Sequence, residues 1–199
     1  MSDAAGHAYL VVPDDGPGHG VLVLHSWWGL TPAVKEVVEA LADAGYTALA
    51  PDLLDGARPA DGNEARDVLA ASDPNETAAL VLSSIVALRA HSADPDGPVA
   101  VVGFSMGASW ALWAATRQPD SVDAVVAYYG VQNIDFDALS APVLGHFAEI
   151  SLARNRSSPS SLPLMTTSAR SLNVSGTSPE YRTAIVTPQL TTSNLYSIC

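Results

Sequence analysis

Short apolar runs alternate with helical patterns over residues 1–149, and this alternation constrains the fold more than any other feature of the sequence. Residues 20–26 (GVLVLHS) are mostly aliphatic, which is typical of a strand buried on both faces. Four later runs are similar, at residues 46–51, 98–104, 124–130 and 142–149. Because strands that alternate with helices are joined by right-handed crossovers, we predict an α/β fold with a mainly parallel sheet and helices on both faces.

Three segments between these runs carry the apolar spacing of helices. The first begins at Thr31, a predicted N-cap whose hydroxyl can accept a backbone hydrogen bond. Pro32 follows it, and the N–H that proline lacks is not needed at the first helical position. The three segments are residues 31–45, 74–88 and 108–118. Residues 52–73 are polar and contain Gly and Pro, so they are predicted to form a connection.

Composition and charge restrict the class of protein. The chain has 199 residues, 48% of them hydrophobic, which is enough to bury a core in one domain. Its formal net charge of −12 repels phosphate backbones and anionic lipids, so neither nucleic-acid nor membrane partners are expected. Cys199, as the one cysteine, excludes an internal disulfide and a cysteine-based zinc site, and no metal site is expected. No secretory signal or membrane helix is recognisable, so a cytoplasmic protein is expected.

The motif GFSMG at residues 103–107 joins a predicted strand to a predicted helix. In this setting G-x-S-x-G is typical of a nucleophile elbow, a strained turn that lifts the serine above the edge of the sheet. Ser105 would then lie at the N-terminus of the helix, where the Met106 N–H and the helix dipole favour a developing oxyanion. The motif therefore predicts Ser105 as a nucleophile, with a structural turn as the alternative.

A second oxyanion donor is expected from the loop that follows an earlier strand. Residues 25–29 (HSWWG) occupy that place, and we assign the donor to the backbone of Trp27. Ser26 and Trp28 are predicted to wall a substrate pocket. The alternative is that both tryptophans pack beneath the loop, because aromatic residues fill cores as readily as pockets.

Together these segments resemble the dienelactone hydrolase family of α/β-hydrolases. The resemblance is carried by residues 21–56, 99–115 and 141–149 and covers roughly residues 9–149. It implies an esterase-type hydrolase that acts on lactones or small esters and needs no cofactor. Two positions depart from the family pattern. Ser105 stands where the best-known members carry cysteine, and Ser26 stands where the founding members carry glutamate.

The catalytic base that a serine nucleophile needs is missing from its usual place. In α/β-hydrolases an acid and then a histidine follow the serine along the chain, but no histidine follows His146 here. His25 ends the first predicted strand and is the candidate substitute base, with a structural role in the loop as the alternative. His146 is predicted to pack within its strand. Because losing triad members costs on the order of 10⁴–10⁶ in rate, residual activity is expected.

The composition changes after Glu149. Residues 1–149 carry a net charge of −15 and 14 Ser and Thr, whereas residues 150–199 carry +3 and 18 Ser and Thr. The second segment has no sustained period of a helix or a strand, so we divide the chain into a hydrolase-like body (1–149) and a divergent tail (150–199), incomplete or disordered. A reading-frame shift after Glu149 is one explanation, since a shifted frame restores an acidic residue directly after the strand. A naturally divergent tail is the other.

Three interpretations of the function follow. The first is a serine hydrolase that cleaves a small-molecule ester or lactone through a Ser105 acyl-enzyme, impaired by the lack of a downstream Asp and His. The second is a non-catalytic α/β-hydrolase-like protein that binds a small molecule beneath Trp27 and Trp28. The third is a chain that does not fold stably, because a sheet without its last elements exposes an edge and an apolar face. The sequence predicts neither the substrate nor the oligomeric state.

Overall fold

Seven strands form one sheet in the part of the chain that the structure describes. The computed structural model describes residues 7–130, 138–148 and 181–186. The strands are β1 (Ala8–Val11), β2 (Gly20–Leu24), β3 (Thr47–Pro51), β4 (Val99–Phe104), β5 (Val122–Tyr128), β6 (Val143–Ala148) and β7 (Tyr181–Val186). Their order across the sheet is β1-β3-β2-β4-β5-β6-β7. The five inner strands are parallel, and the two outer strands run antiparallel to their neighbours. The predicted mainly parallel sheet is therefore confirmed.

The described residues contain four helices, of which the first, third and fourth pack against the sheet and together cover both of its faces. The four helices are α1 (Pro32–Asp43), α2 (Gly62–Ala71), α3 (Pro74–His91) and α4 (Met106–Arg117). Strand β2 is buried along its whole length, and its side chains alternate between two apolar clusters. Leu22 and Leu24 pack with α3 and α4, whereas Val21 and Val23 pack with α1. Because burying one such side chain contributes about 1.5–3 kcal/mol, β2 anchors the strand ends that surround it.

Two local predictions need correction. Residues 52–73 were predicted as a connection, but α2 lies within them. This helix begins at Asp61, whose carboxylate accepts hydrogen bonds from the N–H groups of Asn63 (2.8 Å) and Glu64 (3.0 Å). Its apolar face is narrow, with Ala65 as its buried residue, so the helical period is weak in the sequence. Thr31 does occupy the N-cap position of α1, but its hydroxyl makes no capping hydrogen bond.

One segment of the predicted tail belongs to the sheet. Strand β7 pairs with β6 in continuous register, from Val143 opposite Val186 to Ala148 opposite Tyr181. The rest of the predicted tail, including Glu149 and the segment to which the reading-frame interpretation applies, lies outside the described residues. Among the described helices, none combines the length and the apolarity needed to cross a bilayer.

Candidate active site

Ser105 occupies a strained turn between β4 and α4. Its backbone angles are φ 54° and ψ −112°, in the left-handed region that non-glycine residues rarely adopt. Such a conformation costs about 1–3 kcal/mol and persists only where the surroundings enforce it. Here the Ser105 N–H donates to the carbonyl of Tyr128 (2.8 Å), and the Ser105 carbonyl accepts from the N–H of Ala108 (3.0 Å). The turn is thus held from both sides, as expected for a nucleophile elbow.

Both flanking glycines are required by close backbone packing. A Cβ on Gly103 would overlap the backbone of Gly107 and Ala108 in the first turn of α4. A Cβ on Gly107 would overlap the carbonyl group of Leu24 and lie 2.6 Å from the carbonyl oxygen of His25. The first turn of α4 therefore packs directly against the carboxyl end of β2. This contact places the first turn of α4 beside His25, where the loop that follows β2 begins.

The loop after β2 is a turn closed by its own hydrogen bonds. The carbonyl of Ser26 accepts from the N–H of Gly29 (3.1 Å), and the Ser26 hydroxyl accepts from the N–H of Trp28 (3.5 Å). Within the described residues, the N–H of Trp27 has no acceptor, and neither does the N–H of Met106 at the start of α4. The two backbone donors assigned from the sequence thus lie on adjoining elements and are both unpaired.

The two tryptophans of this loop contact each other. Their rings meet edge to face, with centroids 5.4 Å apart. Trp28 is 40% exposed, while Trp27 is half-buried. Ser26 lies between them and the end of β2. The structure therefore places Ser26 and Trp28 beside the unpaired Trp27 N–H, at the carboxyl edge of the sheet where ligands of α/β proteins bind.

His25 is fully buried, and both of its ring nitrogens contact backbone groups. Its Nδ1–H donates to the carbonyl of Ser26 (2.7 Å), and its Nε2 accepts from the N–H of Leu53 (2.8 Å). These contacts assign the tautomer and tie the loop after β2 to the loop after β3. In this arrangement neither nitrogen is available to Ser105. The contacts favour the structural role for His25 over the role of substitute base.

Asp52 is a buried carboxylate that the sequence analysis did not single out. It directly follows β3, and its oxygens accept hydrogen bonds from the Arg58 guanidinium (2.9 Å) and from the N–H of Leu54 (3.3 Å). Its Oδ1 lies 3.6 Å from Nε2 of His25. Burial by itself would raise the pKa of Asp52, but the Arg58 guanidinium and the Leu54 N–H outweigh it and hold the pKa well below the ordinary value. Asp52 is therefore ionised at neutral pH.

The sequence alone does not reveal the group formed by Asp52, His25 and Arg58, because its members are distant in sequence or unremarkable individually. The available signal was position, since a polar residue directly after a parallel strand lies at the edge of the sheet where sites form. Tyr129 gives the same signal after β5, and its φ of 44° marks a second strained residue at this edge. Burial raises the pKa of the Tyr129 phenol.

His146 packs inside the sheet, as predicted. It lies opposite Tyr128 in the register of β5 and β6, and the two rings stack with centroids 4.6 Å apart. Tyr128 in turn stacks on Phe104, at 5.1 Å, directly before Ser105. The three rings form a ladder across neighbouring strands, which stabilises the end of β4 through cross-strand packing.

Known proteins resemble this chain in sequence and in fold. Protein usf of Aquifex pyrophilus is 29% identical over 150 residues, covering 71% of this chain and 64% of the relative. Carboxymethylenebutenolidase 1 of Cupriavidus pinatubonensis is 30% identical over 133 residues, covering 62% of this chain and 56% of the relative. The chain thus spans less than two thirds of the length of either relative. The solved structure of m3DLH superposes with a TM-score of 0.62 at 25% identity, covering 72% of this chain and 63% of that one.

The sequence profile of the dienelactone hydrolase family matches residues 7–156. This range includes the elbow at Ser105, the loop after β2 and all of the inner strands. With the fold, the strained serine and the match over most of its length in agreement, this chain belongs to the dienelactone hydrolase family.

Proposed function

We propose that this protein is a serine hydrolase that cleaves small carboxylic esters or lactones through an acyl-enzyme on Ser105. The observation that carries the proposal is the strained Ser105 at the N-terminus of α4, whose first turn packs against the end of β2 and the start of the loop that contains Trp27. A nucleophile and two backbone donors at one sheet edge are the parts that acyl transfer needs. Membership of the family, whose relatives include carboxymethylenebutenolidase 1, supports the same reaction class.

The proposed reaction has two halves. The Ser105 hydroxyl oxygen bonds to the carbonyl carbon of the ester, and its proton passes to water as the carbonyl oxygen becomes an oxyanion. Met106 and Trp27 donate their N–H groups to this oxyanion. The oxyanion then collapses, the bond to the alcohol oxygen breaks, and the alcohol leaves with a proton. Water attacks the Ser105 ester in the same way and releases the carboxylic acid. Each step uses groups of the protein and water, so no cofactor is proposed.

The rate of this reaction is proposed to be low. Both nitrogens of His25 contact backbone groups, and the ring of His146 is stacked on β6, two strands away from the strand β4 that leads into Ser105. Among the described residues, no imidazole contacts Ser105. Water is a poor general base at neutral pH, and removing triad members costs on the order of 10⁴–10⁶ in rate. The rate acceleration that remains is proposed to come from the oxyanion donors and from substrate binding.

Replacing Ser105 with alanine is expected to reduce p-nitrophenyl acetate hydrolysis to the rate in buffer, because the attacking oxygen is lost. The matched control is Ser83→Ala, an exposed serine on α3 whose hydroxyl donates to the carbonyl of Leu80. Initial rates of p-nitrophenol release, with folding checked by circular dichroism, measure the effect. Equal rates for Ser105→Ala and wild type would exclude Ser105 as the nucleophile.

A second candidate function is non-catalytic binding of a small molecule at the same edge. The observation that favours it is the full engagement of His25, which leaves Ser105 without a base among the described residues. A binding protein would retain a folded pocket yet form no covalent adduct with an ester. Ester binding without p-nitrophenol release, at the same affinity in wild type and in Ser105→Ala, would support binding over hydrolysis.

A further inference from the structure

We propose that a cavity beside the elbow receives the acyl group of the ester, and that this group is a neutral, unbranched chain of about four carbons. The inference rests on the proposed function and specifies its substrate class. The cavity has a volume of about 120 Å³. It opens between the loop after β3, α2, the start of α3 and the first turns of α4, and its apolar lining consists of Leu53, Leu54, Leu69, Pro74, Met106 and Trp110.

The position of the cavity connects it to the reacting centre. Met106 follows Ser105 and carries one of the two oxyanion donors, and its side chain forms part of the cavity wall. Leu53 lines the same cavity, and its N–H donates to Nε2 of His25, which holds the loop of the second donor. Met106 therefore belongs both to the cavity wall and to the turn that holds Ser105. We infer that the acyl chain of an ester bound at Ser105 extends past Met106 into the cavity.

The residues that line the cavity define the chemical class of the acyl chain. Ser72 and Thr77 contribute the polar side chains, but their hydroxyls donate to the carbonyls of Val68 (2.9 Å) and Asp73 (3.3 Å). The cavity thus offers an entering group mainly methyl, thioether and aromatic surface. A charged group would lose its hydration there without gaining a partner. The wall selects an apolar chain.

The volume of the cavity limits the length of the acyl chain. An apolar cavity of about 150 Å³ holds a six-carbon ring such as benzene. The smaller volume here therefore suits about four carbons in an extended chain. Each methylene buried in an apolar site is worth about fourfold in binding. We expect kcat/KM to rise roughly tenfold from p-nitrophenyl acetate to p-nitrophenyl butyrate and to fall again for octanoate, whose chain exceeds the cavity.

Two substitutions are expected to move this preference in opposite directions. Leu69→Ala enlarges the cavity and should shift the preferred ester from butyrate to hexanoate or octanoate. Thr77→Leu fills it and should remove the preference for butyrate over acetate. Val86→Ala, at an exposed position of α3, is the control and should leave the series unchanged. A folding defect would lower all esters together and leave their ratios intact, so the ratios separate it from a change of cavity size.

A binding measurement tests the cavity without relying on turnover. In the Ser105→Ala variant, 2-pentanone, a neutral ketone whose carbonyl and propyl chain match a butyryl group, should quench or shift the fluorescence of Trp110. Replacing Trp110 with phenylalanine removes that signal and identifies its source. Adding Leu69→Ala or Thr77→Leu should weaken the affinity for the ketone by at least threefold.

The outcomes distinguish this inference from the proposed function. Ketone binding that responds to both substitutions, in a protein that hydrolyses no ester, would support the cavity as a binding site and would contradict the proposed hydrolase function. Ester hydrolysis that depends on Ser105 but ignores acyl length in all variants would keep the hydrolase and overturn the cavity assignment. A preference that follows the alcohol part of the ester instead of the acyl part would also overturn it.

Discussion

Gly107→Ala is expected to lower the free energy of unfolding by about 3 kcal/mol, because the new methyl group has no space. The atoms it would meet are the backbone carbonyl groups of Leu24 and His25, at the end of the buried strand β2. Backbone in the centre of a sheet does not move aside as the end of a flexible side chain does. Relief would require α4 to separate from β2, which would also displace Ser105 and Met106.

Urea unfolding followed by circular dichroism measures this loss. The control is Gly62→Ala on α2, where the nearest atom to an added Cβ is Cη2 of Trp27 at an ordinary 3.9 Å. Alanine is a better helix former than glycine, so Gly62→Ala should be neutral or slightly stabilising. An unchanged unfolding midpoint for Gly107→Ala would contradict the close packing of α4 on β2.

Asp52→Ala is expected to cost about 2–3 kcal/mol of stability at neutral pH. The substitution leaves the N–H groups of Leu54 and Gly56 without their acceptor, and it removes the partner of Arg58. Breaking a buried pair from one side is costly because the remaining groups stay desolvated. This expected loss is small for the breaking of a buried ion pair, because the Arg58 side chain is 38% exposed and can reach water. Asp67→Ala, an exposed carboxylate on α2, is the control and should have little effect.

The cost of Asp52→Ala is also expected to depend on pH. The pKa of Asp52 is depressed in the folded protein, so its ionised form stabilises the fold at every pH above the ordinary aspartate pKa of about 4. That contribution decreases as the pH falls below this value toward the depressed pKa. The difference in unfolding free energy between wild type and Asp52→Ala should therefore be constant from pH 5 to 7 and shrink in acid. A difference that grows in acid would contradict an ionised Asp52.

The sequence predicts the parts of the fold that repeat a local pattern. Strand β2 is recognisable because every residue in it is buried, and the elbow is recognisable because close packing requires glycine at positions 103 and 107. Helix α2 escapes recognition because it buries Ala65 alone and its start depends on the Asp61 cap. Local periodicity carries no signal for such a helix.

The candidate site is less predictable because its contacts join distant segments. The position of His25 at the end of β2 makes it a plausible base, yet its role depends on an N–H donated by Leu53, 28 residues later. Asp52 looks like one of many acidic residues until His25 and Arg58 are seen around it. The Ser105 prediction needs only the residues beside it. The roles of His25 and Asp52 emerge from the pairing of β2 with β3.

Covalent labelling of Ser105 tests the proposed nucleophile most directly, because it requires attack but no turnover. The full chain is incubated with a fluorophosphonate, digested, and analysed by mass spectrometry, with Ser105→Ala and Ser83→Ala treated in parallel. We predict one adduct, on the peptide that contains Ser105, present in wild type and Ser83→Ala and lost in Ser105→Ala. A folded wild-type protein that forms no adduct, or one whose adduct persists in Ser105→Ala, would contradict a nucleophilic Ser105.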